Sequence, residues 1–117
     1  MQQQFNLSLR KFNTFGIDVT ASEFCSILNP EDVRSIVNKS KLPILVLGGG
    51  SNVLFTKNQD CLVVHNEIKG IEVTQESRSH IKVKIGGGVL WHEFVILCVK
   101  NNFGGVENLS LIPGTVG

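Results

Sequence analysis

Apolar positions along the chain fall into short runs whose spacing predicts alternating strands and helices. Leu42 to Leu47 (Leu-Pro-Ile-Leu-Val-Leu) is a continuous apolar run that stops at Gly48-Gly49-Gly50. A run without alternation predicts a strand covered on both faces, as in a parallel sheet. Cys61 to Val64 is a second such run, and Phe24 to Leu28 predicts an earlier strand. Ile71-Glu-Val-Thr and Ile81-Lys-Val-Lys-Ile85 alternate apolar and polar residues, the pattern of half-exposed antiparallel strands.

Two helices are expected between these strands. The first starts at Asn29, with Pro30 in the first helical position and Glu31 and Asp32 in the first turn, all suited to the positive end of a helix. Val33, Ile36 and Val37 form its apolar stripe. The second follows Gly86-Gly87-Gly88 and runs from about Val89 to Asn101. Its face is Leu90, Phe94, Leu97 and Cys98, widened by Trp91 and Val95, with Gly104 as its C-terminal cap. Asn13-Thr14-Phe15-Gly16 reads as a turn, and the polar start Gln2-Gln3-Gln4 predicts no element. The order is strand, helix, strand, glycine loop, strand, hairpin, helix. It is a mixed α/β or α+β layout in two small lobes divided near Gly70.

Composition narrows the classes of function. The 117 residues suit one domain, and 42% hydrophobic with 18% charged residues is the balance of a folded globular chain. Lys plus Arg number 11 against 10 Asp plus Glu, and the charges are scattered. A net charge of +1 offers no electrostatic footprint for nucleic acid or an anionic membrane. Met1 to Phe5 lacks a signal-peptide pattern, and no apolar stretch reaches the roughly 18 residues of a membrane span. Cys25, Cys61 and Cys98 are far apart, with no metal-site spacing; free thiols in a reducing cytoplasm are expected.

Candidate chemistry centres on Leu45-Val-Leu-Gly-Gly-Gly-Ser-Asn-Val-Leu-Phe55. A glycine triplet after a strand lets successive amides converge on one ligand, and such a concavity suits phosphate oxygens. Ser51 and Asn52 add side-chain donors. A tight turn without a ligand explains the glycines equally well. The Walker A pattern fails, because Ser51 and Asn52 follow Gly50 and no lysine appears before Lys57. A dinucleotide fingerprint has Val53 in its third glycine position, although Glu67 stands at a suggestive distance. The second candidate is Gly105 to Gly117, where Pro113-Gly114 fixes a turn whose backbone could approach a flat ligand or serve as a structural loop. Ile96 breaks the zinc pattern that His92-Glu93 begins; His65, His80 and His92 read as surface or packing residues, and Trp91 as part of its helix's apolar face.

Asn13-Thr-Phe-Gly-Ile-Asp18, Leu47-Gly-Gly-Gly-Ser-Asn-Val-Leu-Phe55, Ile68-Lys-Gly-Ile71, Trp91-His92 and Glu107-Asn-Leu-Ser-Leu-Ile-Pro-Gly-Thr-Val-Gly117 occur in one order. In these segments the chain resembles the UDP-N-acetylenolpyruvoylglucosamine reductase family, flavoproteins of the vanillyl-alcohol oxidase type. The resemblance implies an α+β FAD-binding fold, with residues 1–69 as the first lobe and 70–117 as the start of a truncated second lobe. The substrate-binding domain would be absent. It implies that Gly48, Gly49, Gly50, Ser51, Asn52, Val53 and Leu54 cradle the FAD pyrophosphate. Ile112, Pro113, Gly114, Thr115, Val116 and Gly117 would approach the ribityl chain and flavin ring. In the family NADPH reduces FAD, and the enolpyruvyl double bond of a UDP-sugar is then reduced in peptidoglycan precursor synthesis. A serine proton donor and an assisting glutamate belong to family segments beyond the match, so no catalytic residue is expected here, nor any metal ligand. This chain alone is expected to be inactive, to hold FAD weakly, and to self-associate through the sheet edge of its truncated lobe. A non-catalytic nucleotide-binding module and another FAD oxidoreductase of the same fold remain alternatives.

Overall fold

The computed structural model describes residues 1–117. Six strands and two helices form two sheets: β1 (Gln3–Ser8), β2 (Thr20–Ile27), α1 (Pro30–Lys39), β3 (Ile44–Leu47), β4 (Gln59–Asn66), β5 (Ile71–Glu76), β6 (Ile81–Ile85) and α2 (Trp91–Lys100). The larger sheet has the order β1-β2-β4-β3, and β5 pairs with β6 in the smaller one. β4 runs parallel to both β2 and β3, whereas β1 is antiparallel to β2. The architecture is α+β.

Central position explains why β4 reads as a continuous apolar run. Val63 packs into one cluster with Leu9, Phe24, Leu47 and Phe55, while Leu62 and Val64 pack on the opposite face against Cys25, Ile27 and Ile36 of α1. β3 differs from expectation. It is an edge strand, with Leu47 buried but Ile44 and Val46 exposed, so only one of its faces is covered. β1 was not foreshadowed by its polar start; pairing with β2 supplies the order that propensity lacks. β2 begins four residues before the expected Phe24. A register shift between Ala21 and Glu23 puts Ala21 and Phe24 into the same cluster, although three-residue spacing would oppose them in a regular strand.

Both helices are capped by side chains or loops close to those expected. The Asn29 side chain accepts from the Asp32 amide, which satisfies one end donor of the helix, and the Asp32 carboxylate accepts from the Leu28 amide just before the cap. Only Ile36 of the α1 stripe is buried; Val37 is exposed. On α2 the buried residues are Phe94, Val95 and Cys98, whereas Leu90 precedes the helix and is half-exposed. The left-handed residue that closes the helix is Asn102, not Gly104: Asn102 has φ 58°, and Phe103 and Asn102 donate to the carbonyls of Cys98 and Val99 at 2.8 and 3.1 Å. That is a Schellman arrangement, which asparagine tolerates, and Phe103 closes it by packing against the β5–β6–α2 cluster.

Candidate functional site

The site grows from the carboxyl end of β3. Gly48 to Asn52 form a non-repetitive bend there, as the abrupt change from Leu47 to glycine requires. A second turn braces it. Asn13 is buried, and its side chain donates to the carbonyls of Leu9 and Ile17 while accepting from the Ile17 amide. The turn so formed presents the Phe12 carbonyl to Gly50, and Thr14 donates to the Gly50 carbonyl at 3.1 Å. Gly50 has φ 67° and no room for a side chain.

The two candidate segments, remote in sequence, meet in space. A Cβ on Gly48 would stand 2.8 Å from Thr115 Oγ1, one on Gly49 would stand 3.4 Å from Gly114 Cα, and one on Gly114 would stand 3.0 Å from Ser51 Oγ. The carboxyl-terminal segment is held by an antiparallel bridge between Leu90 and Thr115. Trp91 donates to the Gly114 carbonyl, Val116 to that of Val89, and Gly117 to that of Gly87. Gly87 in turn lies against the Asn66 side chain and Gly117. Thus Gly48, Gly49, Ser51, Gly114, Thr115 and Gly117 are brought together. Val53 turns inward to the core cluster, and Leu54 and Ile112 are exposed apolar residues beside the site. Pro113 is exposed; Val116 packs against the α2 cluster.

The donor set is made of backbone and hydroxyls. The amides of Gly48 through Leu54 donate to no protein acceptor, and neither do those of Gly114 and Thr115. Neither Gly48–Leu54 nor Ile112–Gly117 carries a charged side chain. Amides without a protein acceptor on two adjoining glycine segments are the kind of donor that phosphate oxygens take. The structure contains no group of three or more His, Cys, Asp or Glu side chains arranged for a metal ion.

Trp91 and His92, read from sequence as packing residues, hold the second segment from α2. Trp91 Nε1 donates to the Leu109 carbonyl at 2.7 Å, and its ring packs against Phe94 at 5.6 Å. The Leu111 amide donates to His92 Nδ1 at 3.0 Å. Spacing gave no sign of this role, because the partners are backbone groups of a loop. The Glu107 carboxylate lies below its usual range because the amides of Glu107 and Gly105 donate to it. A separate open concavity of about 550 Å³ lies between the β5–β6 turn and the end of α2; neither glycine segment lines it.

UDP-N-acetylenolpyruvoylglucosamine reductases from Flavobacterium johnsoniae and Bacteroides fragilis are each 44% identical, over 118 and 119 aligned residues. That from Pseudomonas putida is 42% identical over 120. Each alignment takes in 100% of this chain and 35% of the relative, so the chain spans about a third of their length. The crystal structure of UDP-N-acetylenolpyruvylglucosamine reductase from Thermus caldophilus superposes with a TM-score of 0.69 at 22% identity, over 99% of this chain and 39% of that one; it shares the fold. No helix is long and apolar enough to cross a membrane. The family model described as an FAD binding domain matches residues 26–117, and with both glycine segments inside that match the chain belongs to the FAD binding domain family.

Proposed function

We propose that this chain is the cofactor-binding part of a cytoplasmic UDP-N-acetylenolpyruvoylglucosamine reductase, with residues 1–69 and 70–117 contributing one lobe each to the FAD site. The observation that carries the reading is the contact between Gly48–Ser51 and Gly114–Gly117, which turns two weak glycine motifs into one set of free amides. Gly48 to Leu54 would hold the diphosphate, and Ile112 to Gly117 would lie along the ribityl chain and ring. FAD, when bound, supplies hydride transfer between NADPH and the enolpyruvyl group of the UDP-sugar. The chain's own contribution is to bind and orient: β3 and the Asn13 turn fix the first glycine segment, and α2 fixes the second.

In the family the serine proton donor and the assisting glutamate belong to segments outside this match, so on this reading the chain by itself should reduce no substrate. Binding of FAD should be weak as well, since tight binding of a large ligand needs most of its surface covered. The exposed edge strand β3 and the two-stranded sheet offer unpaired edges through which copies would associate.

Titration of the chain with FAD and with ADP, followed by amide NMR, tests the reading. Shifts confined to Gly48–Leu54 and Gly114–Gly117, with affinity weaker than about 1 μM, are expected. Shifts confined to the concavity between the β5–β6 turn and α2 would remove the FAD assignment.

A further inference from the structure

We propose that His92 is a positioning residue for the second glycine segment, holding it only while its imidazole is neutral. The Leu111 backbone N–H is a donor, so His92 Nδ1 must present its lone pair and the ring proton must sit on Nε2. A protonated imidazole has no lone pair left and cannot make this bond. Leu111 is also a leucine with φ 61°, a conformation that branched chains adopt at a cost. The hydrogen bond from its amide offsets that cost, and loss of the bond frees the backbone to leave the left-handed region.

What the bond holds is the middle of the loop that leads to Gly114. Leu111 lies between two other attachments made by the neighbouring Trp91, to Leu109 through Nε1 and to Gly114 through its amide. Release at Leu111 leaves the four residues from 110 to 113 held only through Leu109 and Gly114 on either side, and Gly114 faces Ser51 across the site. Charged side chains at this end of α2 are Glu93 on the helix, Glu107 in the single turn Glu107–Leu109 packed against it, and Lys69, whose Nζ donates to the Gly88 carbonyl just before the helix. Glu107 is held ionised by amides of its own loop, so it keeps its charge where an imidazole titrates.

A pH titration of the chain by NMR between pH 8 and 5 decides the matter without cofactor. The Leu111 amide signal should follow the titration of the His92 ring. Its protection against hydrogen exchange, corrected for intrinsic rates, should fall about fivefold, the worth of one net hydrogen bond. His92→Gln, whose amide oxygen accepts without titrating, should hold the Leu111 signal constant over the same range, and Glu93→Gln should change nothing. A Leu111 signal indifferent to the ring's titration in the wild-type chain overturns the proposal, whether or not the variant folds. The functional consequence rests on the FAD reading. FAD affinity should drop at acid pH in the wild type and stay level in His92→Gln; FAD bound equally at both pH values would overturn that consequence. Absence of FAD binding at any pH would refute the cofactor assignment itself, and the Leu111 titration would still decide the role of His92.

Discussion

The carbonyl oxygen of Phe12 occupies the space of a Gly50 side chain: a Cβ built on Gly50 would stand 2.0 Å from it. This contact locks the Asn13 turn onto the first glycine segment. Gly50 therefore combines a left-handed backbone with a backbone obstacle that cannot swing away.

Gly16 provides the control, because its φ of 65° matches the 67° of Gly50 while nothing lies within 4 Å of its absent Cβ. Gly16→Ala should cost only the left-handed penalty, about 1 kcal/mol. Gly50→Ala adds displacement of the Phe12 carbonyl and should cost at least about 3 kcal/mol. Urea unfolding of the two variants measures the gap. Equal losses would mean that the Phe12–Gly50 contact yields without cost.

Asn13 should be the most sensitive polar side chain of the first sheet's loops. It is buried and engages Leu9 and Ile17 through three hydrogen bonds. Asn13→Ala should lose about 2–3 kcal/mol by leaving the Ile17 amide without its partner. Asn13→Asp keeps the shape but points a carboxylate at two carbonyl oxygens, and should be worse. A milder effect of aspartate than of alanine in thermal unfolding would show that the turn reorganises around the side chain.

These residues also show what was legible before the structure. Asn29 and Pro30 marked the start of α1 because end-capping chemistry is local, and the β5–β6 pair was plain from strict alternation. β4 announced its two-sided burial by an apolar run without alternation. β3 has an equally apolar run yet lies at an edge, since sequence does not say which parallel strand the chain will place in the middle. The Asn102 cap was displaced onto Gly104 because glycine is the stronger habit; the actual choice was made by Phe103 reaching the α2 cluster. Each glycine segment could be found by eye. Their meeting could not, because it depends on α2 carrying Trp91 and His92 to the right place.

The thiols should make the fold alkali-sensitive. Burial pushes Cys25, Cys61 and Cys98 up from the ordinary value of 9.0, with the Asp32 and Glu23 charges adding at Cys25 and Asp60 at Cys61. As pH rises past 9.0 the unfolded chain releases these protons first, so the stability contribution, complete below that value, is lost toward the higher folded pKa values. Chemical denaturation at pH 8 and pH 10 should show the fall, and Cys25→Ala with Cys98→Ala should flatten it. At pH 8 a thiol reagent should label Cys25 and Cys98 only through unfolding, because both are buried.

Contact between the two glycine segments can be measured directly at Gly48 and Thr115. Thr115 Oγ1 donates to the Gly117 carbonyl at 3.0 Å, and the same oxygen would stand 2.8 Å from a Cβ on Gly48. Gly48→Ala therefore forces the hydroxyl aside and breaks its bond, a loss of about 1–2 kcal/mol. Thr115→Ala removes the same bond without the collision and should cost about 1 kcal/mol or less. Once the hydroxyl is gone the new methyl group has space, so the double variant should be more stable than the sum of the single losses predicts. Coupling of about 1 kcal/mol is expected, against the 0.3–0.5 kcal/mol within which independent sites add. Strict additivity in urea unfolding would mean that Gly48 and Thr115 do not touch in solution. The shared set of amides proposed for the diphosphate would then lose its structural basis.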